Sequence, residues 1–291
     1  MGDLISVVVS GIANGSAYAL LALGIVIIFR STDTVNFAIG DMGTVSVFVA
    51  LSAITAGVPV ALAFLLAIVI AGLLGTVSER VLIRPLGHGQ HVLFVALVVT
   101  IGLGLVLQAA MGAFWGHEAR AFPPLVDGWI NVFGVPISLN KIAASAVSLV
   151  AMALVAWFFG YMPFGIAMRA SAEDPLAARM LGFKTGRIAT IAWFLGCALA
   201  AIAMLFLAAE SSLNPYIAHA PLFRAFAGVF LGGMTSMPGA VLGGFIIGVL
   251  DNVAGTYISA NYRDTIVFAV IVAVLFIRPA GFMGVLRKER V

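Results

Sequence analysis

The residues of this sequence that gather charge and capping chemistry lie between Pro163 and Gly186, PFGIAMRASAEDPLAARMLGFKTG, in a chain otherwise built of apolar segments. Asp174 can accept a hydrogen bond from the first free N–H groups of a helix. Pro175 suits the first helical position because it has no N–H to leave unpaired, and Gly182 stands where a left-handed residue ends a helix. The spacing predicts a helix of about two turns. On it Leu176 and Met180, and Ala177 and Leu181, share one apolar side, with Arg179 pointing elsewhere. Such a peg is far too short to cross a membrane, and its chemistry is docking. It can lie on a bilayer surface or enter a groove on another protein, and spacing alone favours neither.

Bond-making chemistry is hard to find. There is no G-x-x-x-x-G-K-[ST] loop, since Lys184 and Thr185 follow Phe183, so the chain is not expected to bind and hydrolyse ATP itself. His88, His91, His117 and His219 are scattered near loops without H-E-x-x-H or a carboxylate pair, and are expected to be solvated rather than to hold a metal. Gly102 and Gly104 lack the strand and helix context of a dinucleotide site and read as helix packing. Cys197 is the single cysteine, which excludes an internal disulfide; within its apolar run it reads as a buried, inert thiol. What remains is a set of polar groups at membrane depth, which are costly there and seldom face lipid. Asn14, Asn36, Asp41, Asp251 and Asn252 either line a translocation pathway or bridge helices, while Glu210 can simply mark a helix terminus. Asn36 and Asp41 are expected near the inner end of the second apolar segment, Asp251 and Asn252 toward the outer end of the eighth.

The elements that must carry these residues follow from composition. With 63% hydrophobic and 9% charged residues and a mean hydropathy of +1.17, the 291 residues cannot make an ordinary polar surface. The expected fold is all-α: a polytopic transmembrane helix bundle of about eight or nine membrane segments with a short cytoplasmic coupling helix, residues 1–291 forming one membrane domain. No nucleic-acid footprint is present. Asp3 replaces the positive region of a cleaved signal, so 4–29 reads as a retained span. The further segments are 36–56, 58–77, 92–114, 141–160, 188–210, 223–236, 239–256 and 264–284. Segments two and three form a helical hairpin around Gly57, Val58 and Pro59. The seventh is short and is read as a crossing.

Orientation comes from basic residues near helix ends. With 163–186 on the cytoplasmic side, 11 lysines and arginines fall there and 4 opposite, at Arg120, Lys141, Arg224 and Arg263. Nine crossings then put the N-terminus outside. Trp115, Trp157 and Trp193 are expected to anchor helix ends at the interfaces. VLIRPLG at 81–87 and LFIRPAG at 275–281 each read as a helix stop, with an arginine that snorkels and a proline that ends the helix. Glycines four apart, at Gly11 and Gly15, Gly228 and Gly232, Gly239 and Gly243, and Gly244 and Gly248, predict close helix packing. Around Pro238 a broken helix beside a cavity stays open as an alternative.

Several stretches resemble the branched-chain amino-acid permeases of ABC importers, the LivH/LivM type. They are GIANGSAYALLALG at 11–24, VNFAIGD at 35–41, ERVLIRPL at 79–86, RASAEDPLAARMLG at 169–182, FAGVFLGGMTSMPGAVLGGFIIGVLDN at 226–252 and RDTIVFAVIVAVLFIRPAGFMG at 263–284. They run through the chain in the family's order; the 115–140 loop carries no matching motif. Where the family usually has N-F-A-H-G-E, this chain has Ile39 and Asp41.

The resemblance implies that Arg169, Ala170, Glu173, Asp174, Pro175, Ala178 and Gly182 form a coupling segment docked in a groove of an ATP-binding subunit. It implies a second permease subunit (a heterodimer in preference to a homodimer), two ATP-binding subunits that hold ATP and Mg, and a periplasmic or extracellular substrate-binding protein. The chain itself carries no cofactor. The implied activity is transport of branched-chain or similar small amphipathic amino acids across a bacterial inner membrane, without bond chemistry. The same architecture serving urea, short amides or aromatic acids, or a self-contained secondary transporter, are the alternatives.

Overall fold

A computed structural model describes residues 2–87, 90–132, 135–173, 178, 180 and 182–284. The long apolar runs become helices because a backbone in an apolar surrounding must satisfy its own hydrogen bonds. In chain order these are α1 (Gly2–Thr32), α2 (Ile39–Thr55), α3 (Val60–Ser78), α4 (Gln90–Trp115), α5 (Leu139–Tyr161), α6 (Pro163–Glu173), α7 (Thr185–Glu210), α8 (His219–Gly232), α9 (Met237–Tyr257) and α10 (Arg263–Ile277). A two-stranded antiparallel hairpin, β1 (Trp129–Val132) and β2 (Val135–Ser138), precedes α5, with Trp129 opposite Ser138. With an isolated antiparallel bridge between Arg120 and Leu213 it departs from an all-α chain, and it lies in the loop that carried no motif.

α1 is the centre of the bundle. It packs on α9, α7, α5 and α8, and its Leu20, Ile25 and Ile27 are fully buried. The glycine spacing works as packing: a Cβ at Gly228 would lie 2.7 Å from Gly244 N, and one at Gly244 would lie 2.5 Å from Ala19 Cα. α8 and α9 thus meet backbone to backbone, and α9 meets α1 in the same way. A Cβ at Gly102 would meet nothing within 4 Å among the described residues, so packing within the described chain does not account for this glycine. The α5 helix runs from the β hairpin to α6, which defines two ends of the bundle.

Among the described residues six helical runs are long and apolar enough to cross a membrane: 7–32, 60–86, 92–115, 139–161, 185–210 and 237–257. This is a helical polytopic membrane protein. α2, α8 and α10 are shorter, at 17, 14 and 15 residues. The expected ninth segment ends at Ile277; beyond it the chain turns back, and Phe282 and Met283 donate their N–H groups to Leu231 O and Gly232 O.

The helix after Val60 stops within 81–87 as its sequence suggested, by an unexpected route: it widens into a π turn at Glu79–Ile83, tightens into a 3-10 turn at Arg84–Leu86, where proline needs no N–H partner, and ends at Gly87 with φ +75. Two local expectations are corrected. Arg84 does not snorkel, because Glu79 and α7 hold it. Trp193 is no interfacial anchor; it is fully buried, with Nε1 3.4 Å from Thr32 Oγ1. Trp157 at 51% exposure near the end of α5 has the place an anchor needs.

Candidate functional site

The α2 helix begins inside the bundle. α1 ends at Thr32, Asp33 turns with φ +50, and the chain runs without regular structure to Ala38. Asn36 Oδ1 accepts from Ala38 N at 3.0 Å, and Val35 O accepts from Thr100 Oγ1 at 3.3 Å. Irregular backbone at this depth persists only where the protein satisfies it, and these two bonds contribute to that. Asn36 is fully buried, with Nδ2 4.0 Å from Cys197 Sγ and 3.7 Å from Met42 Sδ. Cys197 lies about 18 Å along α7, near the middle of that helix. Asn36 and Asp41 therefore stand at the first end of the second apolar segment, as its spacing suggested, and that end lies halfway through the bundle.

Asp41, 3% exposed in the first turn of α2, faces α4. Its Oδ1 accepts from Gln108 Nε2 at 3.0 Å, and the same nitrogen lies 2.8 Å from His219 Nε2 at the start of α8. Gly104 admits the carboxylate, since a Cβ there would lie 2.7 Å from Oδ2. The His219 ring is exposed, as expected, yet it belongs to this cluster. Tyr216 packs between it and His117, with ring centroids 5.9 and 6.1 Å apart. Asp41, Gln108 and His219 thus form a polar line from the middle of the bundle toward its hairpin end. Gln108 was missed in the sequence although a carboxamide in an apolar span is the signal that picks out Asn36.

Asp251 sits in a different environment. Arg224 Nε donates to its Oδ1 at 2.8 Å and Arg263 Nη2 lies 3.4 Å from its Oδ2, while Arg224 also reaches Asp264 at 2.8 Å. Tyr18 lies under the Arg224 guanidinium at 5.9 Å. This knot ties α8, α9, α10 and α1. Asn252 donates to Gly248 O of its own helix, and Asn14 is half-buried on α1; neither joins a cluster. Glu210 does more than end a helix, accepting from Asn140 Nδ2 at 3.1 Å and pairing with Lys141 at 3.7 Å.

At the α6 end, Glu79, 2% exposed, accepts from Arg84 Nε and Nη2 at 3.0 and 2.9 Å and from Thr190 Oγ1 at 2.9 Å. Arg84 also donates to Gly186 O at 2.7 Å. The π turn brings Glu79 round to α7. Beside it opens a cavity of about 450 Å³, lined by Arg30, Thr34, Glu79, Arg84, Ser171 and Thr185 among others. Of the expected coupling residues, Arg169 and Ala170 are exposed on α6, and Ala178 is buried. Gly182 has φ +86, and Phe183 N closes on Ala178 O at 3.0 Å, the bond of a left-handed helix stop. Asp174, Pro175 and the side chain of Glu173 lie outside the described residues, as do Leu176, Ala177, Arg179 and Leu181.

Spanning helices that enclose polar side chains at half depth, with a cavity opening at one end, are the anatomy of a membrane-embedded protein of the permease class. The chain belongs to the family described as branched-chain amino acid transport system / permease component, whose profile matches residues 7–275. It is similar to the high-affinity branched-chain amino acid transport system permease protein LivH of Salmonella typhimurium, at 33% identity over 97% of this chain and 96% of that protein. It is also similar to BraD of Pseudomonas aeruginosa, at 31% identity over 97% and 96%. Among solved structures, PsaBC from Streptococcus pneumoniae in complex with Fab aligns with a TM-score of 0.45 at 18% identity, over 95% of this chain and 91% of that one.

Proposed function

We propose that this chain is the permease subunit of an ABC importer that moves branched-chain or similar small amphipathic amino acids across a bacterial inner membrane. The observation that carries the reading is the end-to-end match to permeases named for branched-chain amino acids. It is supported by the polar groups that run from the cavity at Thr34 through Asn36 and Asp41 to Gln108 and His219. Transport needs such a polar route through an apolar bundle, because a zwitterion is costly to expose to hydrocarbon.

In this reading ATP and Mg are bound by two partner subunits, a binding protein delivers solute from outside, and a second, different permease completes the route. The coupling residues Arg169, Ala170, Glu173, Asp174, Pro175, Ala178 and Gly182 dock with an ATP-binding subunit. All nine apolar helices belong to the membrane domain, with α6 on the cytoplasmic side and the β hairpin outside. The short α2, at about 26 Å, spans from half depth to the outer end.

The test is to purify the tagged chain from its native membrane, identify what comes with it, and assay ATPase with amino acids, urea and short amides. ATP-binding subunits stimulated by leucine-like amino acids are the expected result. Stimulation by urea or an amide alone overturns the solute, and a chain recovered alone with no ATPase overturns the importer.

A further inference from the structure

The two aspartates buried at membrane depth are compensated unequally. Asp251 lies between two guanidinium groups. Asp41 is as deeply buried and forms no ion pair with a lysine or arginine among the described residues: Oδ1 accepts one hydrogen bond from the neutral Gln108, and Oδ2 lies against Gly104. The first turn of α2 supplies a helix N-terminus, worth about half an elementary charge. A buried carboxylate is stable when paired and hydrogen-bonded, and this one is short of a cation.

His219 does not supply it. Gln108 Nε2 carries two hydrogens, one directed to Asp41 Oδ1 and the other to His219 Nε2, so that ring nitrogen must present a lone pair. An imidazolium would set N–H against N–H. His219 stands exposed over Gln108 at the hairpin end, with the amide between its ring and Asp41.

We infer that Asp41 is the receptor for a cationic ammonium group on the transported solute, with Gln108 holding that place until solute arrives. The inference deepens the amino-acid reading and rests on it. An ammonium brings a full charge and three donors, and its charge-assisted bonds are roughly twice as strong as those of a neutral amide. It therefore displaces Gln108, whereas urea or a short amide only matches it and a simple carboxylic acid is repelled. The helix that must yield is α4, which packs chiefly along α2 and leaves Phe94, Leu105 and Phe114 exposed.

The test uses the full chain in lipid nanodiscs, titrated with isoamylamine, which has the ammonium alone, and 4-methylpentanoate, which has the carboxylate alone. Trp115, hydrogen-bonded to Ser52 of α2 at 2.8 Å, reports by fluorescence. Isoamylamine is expected to bind the wild-type chain at least tenfold more tightly than 4-methylpentanoate, and Asp41→Asn to remove that preference. Gln108→Lys tethers an ammonium at the carboxylate; it is expected to abolish isoamylamine binding while raising the melting temperature, where a purely structural role for Gln108 predicts a fall. Isoamylamine binding that survives either substitution overturns the receptor. Leucine uptake by the assembled transporter separates the two readings: uptake unchanged by Asp41→Asn overturns the receptor alone. Ammonium binding through Asp41 in a transporter that imports no amino acid overturns the amino-acid reading alone.

Discussion

Arg224 and Asp251 form the most enclosed ion pair among the described residues, their side chains 11% and 2% exposed and 2.8 Å apart. The pair joins α8 to α9, and Arg263 and Asp264 extend it to α10, so the 14-residue α8 is tied to its neighbours by charge. Asp251→Ala leaves two guanidinium groups without their common partner. Removing one member of a buried pair costs about 3–5 kcal/mol, so the variant is expected to melt well below wild type in detergent. Solute preference should not move; a normal melting curve with altered preference would instead place Asp251 on the pathway.

The Glu79 site is expected to show an order of effects. Arg84→Ala strips a two-pronged pair and leaves a carboxylate buried beside Thr190, whereas Glu79→Gln keeps hydrogen bonding and removes the charge. Hydrogen bonds to charged groups are worth about 1.5–3 kcal/mol each. Arg84→Ala should therefore lower thermal stability more than Glu79→Gln, and the reverse order would show that the pair does not hold α3 to α7.

Two glycines give a paired contrast. A Cβ at Gly244 meets the α1 backbone at Ala19, and one at Gly102 meets nothing within 4 Å. Gly244→Leu must push α9 off α1, and overpacking of this kind costs about 1–3 kcal/mol or more. Gly102→Leu is expected to leave the isolated chain's melting temperature unchanged. Equal yields and melting temperatures for the two variants would refute the backbone contact between α1 and α9.

The proposed coupling role is checked by replacing Asp174 and Pro175 together with alanine. Uptake is expected to fall at least tenfold while the chain remains in the membrane and the partner subunits still hydrolyse ATP. Normal uptake by this variant would remove the docking role from the segment.

Much of the fold is written in local patterns. Apolar runs of span length, the Gly57–Pro59 turn and the left-handed stop at Gly182 are properties of a few neighbouring residues, because backbone hydrogen bonding in an apolar medium leaves helix as the only local solution. Helix ends are less legible. Arg84-Pro85 and Arg278-Pro279 both stand at a helix end, yet the turns before them differ: the first follows a π turn whose buried Glu79 accepts from an α7 hydroxyl, the second follows ordinary α-helix to Ile277.

Membership of a polytopic helical bundle, the positions of its polar residues and the family resemblance were determined by the sequence alone, through composition, period and short motifs. Which of those polar residues are already neutralised was decided only in three dimensions. Asn36, Asp41 and Asp251 all read as polar groups at membrane depth, but their partners come from residues 27 to 161 positions away in the chain or from an irregular turn at half depth. Electrostatic compensation is a pairwise, through-space property. A linear pattern places a charge on a helix, and only the packing of the other helices determines what balances it.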